Sequence, residues 1–218
     1  MKWWFCWGYI VILALVTSGH AWAQAEQKSA HESPSKGFSG VTYRGGLVSP
    51  PLPKARFTLN DTSAAPFDFR EQTQGYVTLL FFGYTRCPDL CPLHMANIAF
   101  ALKQLPANVA EQIKVVFVTT DPRRDNPKVL RSWLDRFDKR FIGLTGSESA
   151  IEAAQQASAV PPARKAALTD RDYQVGHASF VLAYTKDNLA HVIYPGGITQ
   201  KDWEHDLPLL VKGAGPNL

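Results

Sequence analysis

Apolar positions along the chain recur with two different periods. Tyr76 to Phe82 (YVTLLFF) and Ile113 to Thr119 (IKVVFVT) are almost unbroken apolar runs rich in β-branched and aromatic residues, which predicts strands buried on both faces. Arg56 to Leu59 reads as a short strand ending at Asn60-Asp61, and Phe141 to Leu144 as another. Between them the period changes to that of a helix. Pro88 to Leu105 places Leu90, Leu93, Asn97, Phe100 and Ala101 near one side, with Ile98, Leu102 and Leu105 extending it. Asn126 to Lys139 carries Val129, Leu130, Trp133, Leu134 and Phe137 at helical spacing. Ser147 caps a third helix with Glu148 in its first turn, running to about Ala159. Ser179 to Tyr184 and Leu189 to Tyr194 flank Thr185-Lys186-Asp187-Asn188, a hairpin signal. Trp203 to Val211 forms a closing helix, interrupted or kinked at Pro208.

Strand, helix, strand and helix followed by a hairpin and a last helix is an α/β order of the thioredoxin-like type. It predicts a central mixed sheet with helices on both faces. The domain is expected over residues 54–213. Before it, residues 24–53 are rich in Ser, Gly, Pro and Lys with little apolar period, and read as a flexible tether stiffened near Pro50 to Pro53. Residues 1–23 read as a signal peptide. Lys2 gives a positive start, Trp3 to Val16 an uncharged apolar stretch, and Ala21-Trp22-Ala23 a cleavage signal. Fourteen apolar residues are short for a span of about 20, but Thr17 to Ala23 would lengthen it, so an uncleaved anchor is the alternative. Both readings place the domain outside the cytoplasm, in the periplasm or facing the extracytoplasmic side of the membrane. Membrane association follows only if the segment stays.

Composition adds little to this. The 218-residue chain is 45% hydrophobic and 19% charged, with a formal charge of +4. Its Lys and Arg are mixed with Asp and Glu rather than clustered, which argues against a nucleic-acid partner.

Export does change the meaning of the cysteines. There are three, and Cys6 lies in the apolar part of the leader. Cys87 and Cys91 remain, separated by three residues, whereas a structural disulfide in an exported protein usually closes a longer loop. They sit where a buried strand gives way to a helix, and Pro88 and Pro92 both suit a helix's first turn. Residues four apart share a helix face, so both sulfurs can converge on one point. Unpaired amides and the positive helix end there favour thiolate. Two soft thiolates select Cu(I), zinc or another thiol; a local disulfide is the plainer alternative. A third ligand has two candidates. His177 precedes the strand Ser179 to Tyr184, in a loop that this fold lays against the cysteine-bearing helix end. His94 follows Cys91 at helical spacing. Nothing recommends His31, His191 or His205.

Three stretches then resemble the Sco/SenC family of thioredoxin-like copper proteins. Phe81 to Pro92 (FFGYTRCPDLCP) is close to the family's signature. Val118 to Pro127 (VTTDPRRDNP) looks like its second motif, and Tyr173 to Ala178 (YQVGHA) like the third, which carries the histidine ligand. The resemblance covers roughly residues 57–210. It implies that Cys87, Cys91 and His177 are copper ligands, that Asp121 stands near the site in an outer position, and that the protein delivers copper to, or maintains the thiols of, the binuclear copper site of cytochrome c oxidase. The implied partners are that subunit and other periplasmic copper or thiol carriers. Where the family commonly has Asp-His-Ser, this chain has Gly176-His177-Ala178. A copper carrier rather than an enzyme is the expectation. The alternatives are an exported thiol–disulfide oxidoreductase using Cys87 and Cys91 as a redox-active pair, and a peroxidase-like enzyme, which has only fold analogy behind it.

Overall fold

The two long apolar runs form the middle of one sheet. The computed structural model describes residues 42–169 and 172–213; the expected leader, and the tether as far as residue 41, lie outside the described residues. In chain order the elements are β1 (Gly46–Pro53), β2 (Thr58–Asp61), β3 (Pro66–Asp68), α1 (Phe69–Gln72), β4 (Val77–Gly83), α2 (Leu90–Gln104), α3 (Ala107–Ala110) and β5 (Ile113–Thr119). They continue with α4 (Pro127–Leu134), β6 (Ile142–Thr145), α5 (Glu148–Ala157), β7 (Arg164–Thr169), β8 (Asp172–Gly176), β9 (Val181–Tyr184), β10 (Leu189–Tyr194) and α6 (Gln200–Lys212). Eight strands pair in the order β1-β10-β9-β4-β5-β6-β2-β3, while β7 and β8 pair only with each other. The β4–β5 and β5–β6 pairs are parallel and the others antiparallel, so the sheet is mixed as expected.

The strand period of two explains why β4 reads as continuous apolar sequence. Val77, Leu79 and Phe81 enter the core beneath α2, α4 and α6, with Met95, Ile98, Leu130, Trp133, Trp203 and Leu207. Leu80 and Phe82 enter the core on the other face, with Phe69 of α1 and Ile151 of α5. Neither side reaches water.

Caps mark several helix starts. Asn126 accepts from the Val129 amide and Ser147 from the Ala150 amide. Thr199 and Asp202 form a reciprocal capping box, and Gly213 ends α6 in the left-handed conformation.

Several expectations need correction. Residues 46–53, assigned to the tether for their prolines, are edge strand β1; prolines are tolerated on an edge because no inner neighbour needs their amides. The apolar side proposed for α2 is rotated. Leu93 and Phe100 are 44% and 45% exposed, while Cys91, Met95, Ile98 and Leu102 face the core. Apolar residues occur on more than one side of this helix, so period alone did not select the buried one. The helix α4 stops at Leu134 rather than at Lys139, with Phe137 in the following turn. Helix α6 runs without interruption through Pro208.

Candidate metal centre

Cys87 and Cys91 lie at the junction of β4 and α2. The Cys87 amide donates to the Tyr84 carbonyl in a tight turn, and α2 begins at Leu90, so Cys91 is its second residue. Cys87 is half-buried in the loop and Cys91 fully buried beneath it; both are free thiols. Gly83 makes the depth of Cys91 possible, because a Cβ on Gly83 would stand 2.7 Å from Cys91 Sγ.

His177 reaches the pair from the base of the β7–β8 hairpin. Its Nε2 lies 3.3 Å from Cys91 Sγ, and its Nδ1 lies 2.9 Å from the Ala178 carbonyl. A carbonyl only accepts, so Nδ1 carries the proton and Nε2 turns its lone pair toward the sulfurs. The ring stands edge-on to Phe81 and Tyr84, with centroids 5.9 and 5.6 Å away. The donor atoms of Cys87, Cys91 and His177 all lie within 4.8 Å of one another, and no other such group of donors occurs among the described residues.

The two sulfurs are electrostatically unequal. Hydrogen bonding with Cys91 draws the Cys87 pKa far below the ordinary thiol value despite partial burial. Burial, and then the hydrogen bond to Cys87, push the Cys91 thiol up. The reduced pair therefore holds an accessible thiolate and a buried proton.

Other predicted positions fall elsewhere. His94 stands outside the donor group; its Nε2–H donates to the Ser179 carbonyl at 3.2 Å, its ring packs 5.1 Å from Phe81, and burial lowers its pKa. His191 pairs with Asp187 at 2.7 Å and His205 with Asp206 at 2.6 Å. Asp121 is fully buried and not a donor in the group. It pairs with Arg124 and accepts the Tyr173 hydroxyl at 2.6 Å. Sequence reasoning passed over Asp125, which is buried and accepts from the Thr85 amide at 2.8 Å, the Thr85 hydroxyl at 2.5 Å and the Thr119 hydroxyl at 2.8 Å. It also passed over Arg124 and Tyr173. The signal available was two acidic residues and an arginine bunched directly after a buried strand.

The donor set suits a soft cation. Two sulfurs and one imidazole, with lone pairs converging and little water around Cys91, match Cu(I) better than a hard ion that takes oxygen ligands.

Fold and site together define a thioredoxin-like protein with a two-thiol, one-imidazole centre at the first strand–helix junction of its parallel core. The family profile described as SCO1/SenC matches residues 49–211, and the chain belongs to that family. A Stutzerimonas stutzeri protein named as a candidate copper-binding protein is 37% identical over 133 residues, 58% of this chain and 63% of that one. The apo Sco1 of Thermus thermophilus superposes with a TM-score of 0.71 at 30% identity, over 80% of this chain and 100% of that one. The copper-bound ScoI of Bradyrhizobium japonicum gives 0.64 at 28% identity, over 77% and 99%. The matched part of the chain spans less than two thirds of the first curated relatives.

Proposed function

We propose that this protein is an exported copper carrier that holds copper through Cys87, Cys91 and His177. In this reading it delivers the ion to, or maintains the thiols of, the binuclear copper site of cytochrome c oxidase. The observation that carries the reading is the convergence of three donor atoms within 4.8 Å, with the His177 tautomer fixed so that Nε2 faces the sulfurs. The ion is cargo: half-buried Cys87 lies on the open side, where an incoming thiol of a recipient can reach it, while Cys91 and His177 hold from within. Export rests on residues 1–23. Among the described residues no helix is long and apolar enough to cross a membrane.

The second reading, a thiol–disulfide oxidoreductase, has one observation in its favour. A half-buried free Cys87 over a fully buried free Cys91 is the arrangement of an attacking and a resolving cysteine.

Copper titration of the reduced chain, with chelator competition, should give one ion per chain. Cys87→Ser or Cys91→Ser should abolish tight binding, because a lone thiolate does not hold Cu(I) against competing thiols. His177→Ala separates the two readings. A carrier loses copper affinity by ~10-fold or more, along with the Cu(II) sulfur-to-metal absorption band, while exchange with a small dithiol changes little. A reductant shows the inverse, slowed exchange with copper affinity kept. That inverse result would sink the carrier assignment.

A further inference from the structure

We infer that Tyr173 is a positioning residue for the His177 imidazole, acting through its hydroxyl on Asp121. The inference rests on the three-donor reading above.

The hairpin β7–β8 stands outside the main sheet, so no strand ladder fixes where it lies against the body. His177 follows directly on β8, and the placement of the hairpin therefore sets the imidazole. Tyr173 and Val175 point to one face of β8, and His177 continues the same alternation. Val175 is buried. Tyr173 makes two of the polar attachments: its hydroxyl donates to Asp121 Oδ1 at 2.6 Å, and its carbonyl accepts from Arg124 Nη1 at 3.0 Å. The Arg124 guanidinium lies 3.7 Å from the Tyr173 ring centroid and 6.0 Å from that of Tyr84. Tyr84 is itself one of the two rings standing edge-on to His177. Two further polar anchors of the hairpin occur among the described residues: the Val175 backbone hydrogen-bonds the Tyr84 hydroxyl, and Lys165 meets Glu148 at 2.6 Å in a partly solvated ion pair, a weak constraint.

The same short loop also holds the cysteines. Asp121 and Asp125 lie one turn apart after β5, with the Asp125 amide donating to the Asp121 carbonyl at 2.9 Å. Asp125 fixes Thr85, two residues before Cys87, while Asp121 fixes Tyr173, four residues before His177. One rigid, buried pair of carboxylates thus sets the separation between the sulfur side and the imidazole side. Removing the Tyr173 hydroxyl loosens the imidazole side alone.

The test uses the full chain as Tyr173→Phe, His177→Ala and the double variant, with Cu(I) affinity read by chelator competition and the Cu(II) charge-transfer band recorded for each. An outer-shell partner of a ligating histidine is worth about 10–100-fold in affinity. Tyr173 acts one step further out, so about tenfold is expected, with a shifted or weakened band. Thermal melting of the apo protein should show the fold retained. In the His177→Ala background the Tyr173 change should be silent, because the path it acts through has been cut. Two results would overturn the inference. One is Tyr173→Phe binding copper like the parent while His177→Ala does not. The other is an equal tenfold loss in both backgrounds, which would mark a general structural effect. If His177→Ala itself leaves affinity unchanged, the three-donor reading fails, and the positioning role fails with it.

Discussion

Replacing Gly83 with alanine tests whether the depth of Cys91 is set by the missing side chain behind it. Gly83 closes β4, and its backbone is not in the left-handed region, so the issue is space rather than conformation. A Cβ there would stand 2.7 Å from Cys91 Sγ and 3.1 Å from two Phe117 ring carbons. Comfortable contacts between heavy atoms are about 3.5–4.0 Å, so the sulfur side is short by roughly 1 Å. Phe117 cannot retreat: it is fully buried, edge-on to Phe81 at 5.9 Å and tilted on Trp133 at 5.0 Å. The relief must come from Cys91 and the first turn of α2. Overpacking of a filled core costs about 1–3 kcal/mol. The consequence for the centre is larger in proportion, because ligand distances tolerate about 0.2 Å. Gly83→Ala should therefore lose about 1–3 kcal/mol in urea unfolding of the apo protein, and at least ~10-fold in copper affinity measured by chelator competition. A variant within ~0.5 kcal/mol of the parent, binding copper equally well, would show that α2 has slack and that Gly83 does not place the sulfur.

Two further predictions concern stability away from the centre. Lys54 is 1% exposed, gives its ammonium hydrogens to the Thr73 carbonyl and the Thr73 and Thr78 hydroxyls, and faces no carboxylate closely. Burial, then the charges of Arg70 and Lys114, lower its pKa to about 8. Because the folded-state value is below the unfolded one, the unfolded chain binds the extra proton between them. Stability therefore rises with pH from about 8 toward 10.5, by as much as about 3 kcal/mol. Urea midpoints from pH 7.5 to 9.5 should climb in the parent and be flatter in Lys54→Met; equal slopes would refute the assignment. Asp206 is fully buried and accepts from the Arg44 and Gly45 amides at 2.8 and 3.2 Å and from the Tyr194 hydroxyl at 2.9 Å. Asp206→Ala strands those donors, so it should cost about 3–5 kcal/mol and speed hydrogen exchange at Arg44 and Gly45; slow exchange there would mean other acceptors suffice.

Legibility in the sequence followed the strength of local signals. Ile113 to Thr119 is strand β5 with the bounds read from its apolar run, and the Ser147 cap is where the side chain–backbone rule put it. Such signals depend on neighbours in the chain. The hairpin β7–β8 has none of them: Arg164 to Thr169 and Asp172 to Gly176 are short and polar, and their pairing is with each other rather than with the buried sheet. Nor did period reveal that Leu93 and Phe100 stay in water, since the positions of the sheet and of α6 decide which side of α2 is covered. In the candidate centre, the two cysteines were read from spacing and chemistry; position left His177 and His94 both open, and the resemblance at Tyr173 to Ala178 pointed to His177. The roles of Asp125, Arg124 and Tyr173 were not legible, because they arise from contacts across 40 to 52 positions of chain.

The two outermost strands of the sheet have a consequence for how this protein meets others. Strand β1 carries Pro50, Pro51 and Pro53 and shifts register between Leu47 and Leu52, while β3 at the opposite border is three residues long and opens with Pro66. Proline offers no amide to a newcomer, and three residues give too short a template for stable pairing. Both borders of the eight-stranded sheet are thus poor templates for strand exchange with a second chain. Encounters are directed instead to the ends of the strands, where the loops after β4, β5 and β8 come together.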